Sequence, residues 1–120
     1  MFATAKPTNA DLTGLQNATT RAYRVVRGLA GLVLLIFDLG PADVPAGGVV
    51  DLRINLPEEL VSIVTTTGVF TYSDNGSFGV GQCYVVEGGT QLFLRKGPGN
   101  PWSVATQNTF LQGQIAFEAK

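Results

Sequence analysis

Downstream of Ala22 the chain alternates apolar and polar positions with a period of two. In VVDLRINL, residues Val50, Leu52, Ile54 and Leu56 fall on one face and Asp51, Arg53 and Asn55 on the other, the pattern of a strand with one side in a core. The segments LVSIVTTTG and VFTYS are β-branched and aromatic, and the following SDNGS contains Asn75 and Gly76, a pair that tolerates positive φ in a type I′ hairpin turn. The strands flanking Asn75 are therefore expected to be antiparallel neighbours. In SFGVGQCYVVE, residues Phe78, Val80, Tyr84 and Val86 share a face, while Gly79 and Gly81 leave the other face bare, a mark of a bulge or of close backbone approach. Leu92 and Leu94 alternate with Gln91, Phe93 and Arg95, and Gly97, Pro98, Gly99 and Pro101 then break the pattern into a loop. Near the end, Leu111, Ile115 and Phe117 oppose Gln112, Gln114 and Glu118.

Two stretches depart from this alternation. GLAGLVLLIFDL, residues 28–39, is apolar on both faces from Leu32 to Phe37. It is too short for a transmembrane helix, which needs about 20 apolar residues, so a strand covered on both sides is expected, by the core on one and by another subunit on the other. Residues 1–19 are small and polar, with Pro7, Asn9, Asp11, Gly14 and Asn17, and read as an extended arm that cannot fold alone. A short helix within residues 10–20 competes, since Leu12, Leu15, Ala22, Val25, Leu29 and Leu32 recur near helical spacing; Gly14, Gly28, Gly31 and the Val25–Val26 pair argue against a longer one. With eight or nine short strands and no helix to cross between parallel ones, the expected fold is all-β. It is an antiparallel two-sheet sandwich of jelly-roll type over residues 20–120, preceded by the arm 1–19.

Composition narrows the function. Only 14% of the 120 residues are charged, against roughly 25% in ordinary soluble domains, which points to a surface partly covered in the working state. A net charge of −1 supplies no field to gather nucleic acid or an anionic membrane. RAYRVVR holds Arg21, Arg24 and Arg27 around Tyr23, but on a strand Arg24 faces away from the other two, so these arginines are expected to pair with carboxylates of a neighbouring subunit. The opening MFATAKPTNADL has one lysine and no apolar stretch of signal-peptide length, so export by that route is not expected. The NATT and NGS matches to a glycosylation acceptor are then fortuitous.

Catalytic templates find few residues to use. There is no histidine, and Ser-Lys schemes have only Lys6, Lys96 and Lys120 to draw on. Glu58 and Glu59 are adjacent and diverge in an extended segment, which suits a solvated turn better than an acid–base pair. Asp38, Asp43 and Asp51 lack the every-second-residue spacing of an EF-hand, GVGQCY lacks the third glycine of a dinucleotide fingerprint, and RKGPGNPW lacks the end of a P-loop. No cofactor, metal or enzyme activity is expected. The single cysteine, Cys83, forms no intrachain disulfide and reads as a small apolar strand residue. Trp102 in GPGNPWS and Tyr72 beside Asn75 either stack on a sugar or cap the edge of the core, the latter being the plainer reading.

The run VVDLRINLPEELVSIVTTTGVFTYSDNGSFGV, followed by GGTQLFLRKGPGNPWSVATQNTFLQGQIAFE, resembles the small all-β domains of tailed-bacteriophage virions, the capsid decoration or cement proteins and the heads of tail fibres. The shared features, over residues 45–118, are a strand ending in LP, a Thr-rich strand, a hairpin, a T-x-L-x-L strand, a Trp after a Gly/Pro loop and a last strand of G-x-I-x-F-E form. The resemblance implies a non-enzymatic homotrimer, assembled in the host cytoplasm, that adheres to a surface. With an arm and no stalk, the expectation turns first to a decoration protein on the capsid exterior that binds the major capsid protein. Phe2, Lys6, Leu12 and Leu15 would then dock the arm, and Arg21, Arg24, Arg27, Leu32, Leu34 and Ile36 would form the oligomer contact. The second expectation is a receptor-binding fibre head that recognises a host-surface glycan through Tyr72, Asn75 and Trp102.

Overall fold

The computed structural model describes residues 2–5, 11–18 and 20–120, with only the backbone for 2–5 and 20–23. Nine strands make one sheet: β1 Phe2–Ala5, β2 Leu12–Thr13, β3 Thr20–Arg27, β4 Leu32–Val44, β5 Leu52–Asn55, β6 Thr66–Asp74, β7 Ser77–Val85, β8 Gln91–Arg95 and β9 Ala105–Glu118. Their spatial order is β1-β3-β4-β9-β6-β7-β8-β5-β2, and every neighbouring pair is antiparallel. Among the described residues helix is limited to single 3-10 turns such as Leu29–Gly31 and Glu58–Leu60, the latter holding Glu58 and Glu59.

The sheet is a curled half-barrel rather than a two-sheet sandwich. β4 and β9 pair along their length and bend where the register shifts between Leu39 and Ala42 and again before Val44. Such bulges add local twist and let a sheet fold over itself. Beyond the edge strand β2, Gln16 and Asp43 of β4 exchange backbone hydrogen bonds of 2.9 and 2.8 Å, tying the β2 end of the curl back to β4. The all-β antiparallel expectation holds, and its division into two jelly-roll sheets is not borne out. A period-two pattern is the same whether the inner face meets a second sheet or its own curled continuation, and the bulges and the Gln16–Asp43 tie leave no trace in it.

The inner face encloses one core. Leu52, Ile54 and Leu56, Leu92 and Leu94, and Leu111, Ile115 and Phe117 are all buried, as their alternation predicts. The run at 28–39 also alternates once folded: Val33, Leu35 and Phe37 point inward, while Leu32 is exposed and Leu34 and Ile36 are half-buried on the outside. Asn75 and Gly76 have φ of 49° and 91° and join β6 to β7 in the expected tight hairpin. LVSIVTTTG is less of a strand than its composition suggests, for Ser62 makes a lone bridge to Ala119 and β6 begins only at Thr66.

In the β6–β7 hairpin the bare glycine face is the inner one. Tyr72 lies opposite Gly79 and Phe70 opposite Gly81, and a Cβ on Gly79 or Gly81 would stand 2.4 Å from the Tyr72 hydroxyl oxygen or 2.8 Å from the Phe70 ring. The glycines make room for these rings, which leaves Phe78 and Val80 on the solvent side.

The proposed arm is corrected for residues 11–18. Leu12 pairs with Ile54 as part of β2, and Leu12, Leu15 and Ala18 are buried in the chain's own core. These side chains satisfy the inner face of the half-barrel and so are not presented to a capsid, and Leu12–Thr13 pair as a strand where a short helix was the competing expectation. The backbone of Phe2 pairs with Val26 in β1, while its side chain and Lys6 lie outside the described residues.

Candidate functional site

The sequence-predicted ligand residues divide on inspection. Trp102 is 2% exposed, its Nε1 donates to the carbonyl of Leu94 at 3.3 Å, and its ring stacks on Phe70 at a centroid distance of 6.3 Å. It is a core residue, as the plainer reading has it, and no ligand can reach its face. Tyr72 is half-buried and meets Trp102 edge-on at 5.2 Å. Asn75 alone is exposed, at the hairpin tip.

The same hairpin nevertheless builds a groove on the opposite, outer face. Ser73 pairs with Phe78 across β7 and with Phe110 across β9, so two phenylalanines stand on either side of one small residue. Phe78 is 86% and Phe110 40% exposed. Thr71 and Gln112 continue the floor, and Gly76 and Asn108 close the hairpin end of a groove of about 460 Å³. Its polar groups are neutral: Thr71 Oγ1 donates to the Gln112 carbonyl, Gln112 Nε2 to Asp38 Oδ1, and Asn108 Nδ2 to Asn75 Oδ1.

A buried carboxylate fixes this end of the molecule. Asp74, next to both Ser73 and Asn75, accepts from Lys96 Nζ at 2.5 Å, from the Ser103 amide at 3.1 and 3.2 Å, and from the Ser103 hydroxyl at 3.2 Å. The Asn75 amide donates to the carbonyl of Asn108 at 3.0 Å, locking the hairpin to β9. Lower on the same face a shallower depression runs past Ile36, Val69 and Val80.

Elsewhere the charged residues brace the fold. Arg95 lies over Tyr84, Tyr84 stacks on Phe93 at 4.8 Å, and Arg53 lies over Phe93, giving a ladder across β7, β8 and β5. Arg95 donates to the Tyr84 hydroxyl and to both oxygens of Asp51. Asp43 accepts from Asn17 and from the backbone and side chain of Gln107. The Asn17 amide first, then Gln107, holds its carboxyl below the ordinary carboxylate range. Arg27 approaches Glu59 of its own chain at 4.0 Å, so the expected pairing with a neighbour's carboxylate meets an intrachain competitor. Arg24 is exposed, and the side chain of Arg21 lies outside the described residues. Among the described residues no cluster of three or more metal-ligating side chains occurs.

No family model and no curated protein matches the chain. Among solved structures it is similar to the head domain of phage bIL170, described as a receptor-binding domain of a lactococcal phage, with a TM-score of 0.56 over 100% of both chains and 11% sequence identity. At that identity the likeness is one of fold. The chain thus shares its all-β fold with that phage head domain.

Proposed function

We propose that this chain is the receptor-binding head domain of a phage adsorption apparatus, a non-enzymatic virion protein that attaches to a glycan on the host surface. The end-to-end fold likeness to a phage receptor-binding head is the observation that carries this reading. Burial of Leu12 and Leu15, two of the four residues meant to dock an arm on a capsid, counts against the decoration role. The head works as a homotrimer in this reading. Support comes from the low charge of the chain and from the outer apolar row Leu32, Leu34 and Ile36, which a second copy would cover.

The test is adsorption. Fluorescently labelled protein is mixed with a panel of bacterial strains left untreated, oxidised with periodate, or digested with protease. Binding to at least one strain that periodate abolishes and protease spares is the expected result. Binding that protease abolishes and periodate spares would replace the glycan with a protein receptor. Binding to purified phage capsids and to no cells would restore the decoration reading.

A further inference from the structure

The groove between Phe78 and Phe110 presents apolar walls, neutral polar groups and a rigid floor, and its shape restricts what can enter. Phe78 and Phe110 are two strands apart, with Ser73 between them in register. Strand spacing places their backbones about 9.6 Å apart. A flat group in van der Waals contact with a ring on each side needs about 7–8 Å between them. A single six-membered ring fits such a slot, whereas a helix about 10 Å across does not. An extended peptide is disfavoured for a different reason. β6, which forms the floor, is already hydrogen-bonded to β7 and to β9, so it has no free edge for another strand to join.

The polar groups narrow the chemistry further. Gln112 and Asn108 each commit one N–H within the chain, which leaves the amide oxygen and a second N–H of each for a ligand. Thr71 and Ser73 add hydroxyls along the floor. No carboxylate, ammonium or guanidinium lines the groove, so a charged group entering it would lose water without gaining a counter-ion. Alternating hydroxyl contacts and aromatic faces suit a molecule with polar edges and an apolar C–H face. The Asp74 anchor and the Asn75–Asn108 bonds hold the hairpin in place beforehand, and little ordering is left to oppose binding.

We infer that this groove is a saccharide subsite that takes one uncharged pyranose unit, with Phe78 and Phe110 against its C–H faces and Asn108 and Gln112 on its hydroxyls. The inference rests on the receptor-binding reading and adds to it the site and the neutrality of the sugar. The full chain with 13C-labelled phenylalanine rings is titrated with methyl glycosides of glucose, galactose, rhamnose and N-acetylglucosamine, and with glucose 6-phosphate and N-acetylneuraminic acid as anionic probes. Neutral glycosides should shift the Phe78 and Phe110 ring signals together and saturably, and the anionic probes should shift them weakly. Phe78→Ala, at a position so exposed that folding is unaffected, should weaken the best glycoside by roughly tenfold. Ring signals that answer to no glycoside, or that answer to dilution instead, as for a contact between two copies, would overturn the subsite; so would stronger shifts with the anionic probes. Phe78→Ala protein that still adsorbs to cells as well as the parent would remove the groove and leave receptor binding standing. Parent protein that binds glycosides in the groove but adsorbs to no cells would do the reverse.

Discussion

Replacement of Asp74 by alanine tests whether the hairpin end of the half-barrel is held by a single carboxylate. Asp74 is 3% exposed and draws together the end of β6, Lys96 and Ser103 through four hydrogen bonds. Removing one partner of a buried ion pair costs about 3–5 kcal/mol, because the remaining charge is left uncompensated. The Lys96 side chain is 13% exposed and its flexible stem can carry the ammonium into water, which places the expected loss near the lower limit, at about 3 kcal/mol. With a urea m-value of about 1.5 kcal/mol/M, the midpoint should fall by about 2 M. The melting temperature should drop by about 12 °C. Asp74→Asn keeps an oxygen for Ser103 but offers an N–H donor near Lys96, and should cost less than alanine. Lys96→Met and the double variant complete a cycle with an expected coupling above about 1 kcal/mol. A loss below about 1 kcal/mol for Asp74→Ala with m unchanged, or a coupling within about 0.5 kcal/mol of zero, would refute the anchor.

Four further outcomes are expected. Leu35→Asp places a charge in the core and should unfold the domain, whereas Leu34→Asp on the outer face should leave circular dichroism unchanged and, by light scattering, convert the proposed trimer to monomers; a parent protein of trimer mass whose mass this change leaves unaltered would remove β4 from the interface. Burial pushes the Cys83 thiol up to about 11 from an ordinary value of 9.0, so at pH 8 it should react with Ellman's reagent only as fast as the chain opens. Because the native state holds that proton more tightly than the unfolded chain, stability should fall as pH rises above 9.0 toward 11. Asp43 shows the opposite sign: its folded pKa lies below the ordinary 3.8, so its contribution is complete above that value and is lost as pH falls through the folded one, and Asp43→Asn should flatten the acid limb of a pH–stability curve. Trp102→Ala, as a core truncation, should cost about 3–5 kcal/mol, and any loss of cell adsorption should follow unfolding measured by near-ultraviolet circular dichroism.

Strand identity was legible wherever one face was apolar and the other polar. Leu52 and Ile54, Leu92 and Leu94, and Leu111, Ile115 and Phe117 all point where their spacing put them, and Asn75–Gly76 marked its hairpin unaided. Closure was not legible, because it depends on the bulges near Leu39 and on one Gln16–Asp43 bridge. Leu12 and Leu15 were misread as capsid-docking anchors because their spacing suggests at most a short helix and shows no period-two strand, yet a curled sheet with an open edge gives them somewhere to go. Phe78 and Phe110 were missed as ligand contacts, and a signal for Phe78 was present. Pairing outward from the two-residue turn sets Tyr72 against Gly79 and Phe70 against Gly81. An aromatic residue facing a glycine across a hairpin tends to cover it on the packed side. The intervening Phe78 then has to face outward.

That exchange of sides also separates stability from recognition. Along β6, β7 and β9 one set of positions, Phe70, Tyr72, Gly79, Gly81, Leu111 and Gly113, fills the core or makes room for its rings, and a Cβ on Gly113 would stand 2.5 Å from Phe70. The interleaved set, Thr71, Ser73, Phe78, Val80, Phe110 and Gln112, forms the outer groove and its continuation. Successive side chains on a strand point to opposite faces, so a substitution in the second set changes the groove without entering the core. Replacements at the exposed members of that set, the buried Ser73 apart, usually alter stability by no more than about 0.5 kcal/mol, whereas overpacking at the first set costs about 1–3 kcal/mol. A domain whose partner changes under selection needs this division, and here it follows from strand geometry alone. Two hairpin positions cross the division: Tyr72 lines the groove while its ring packs on Trp102, and the Asp74 carboxylate is buried with the core although it adjoins the groove, so a single change at either should impair both stability and binding.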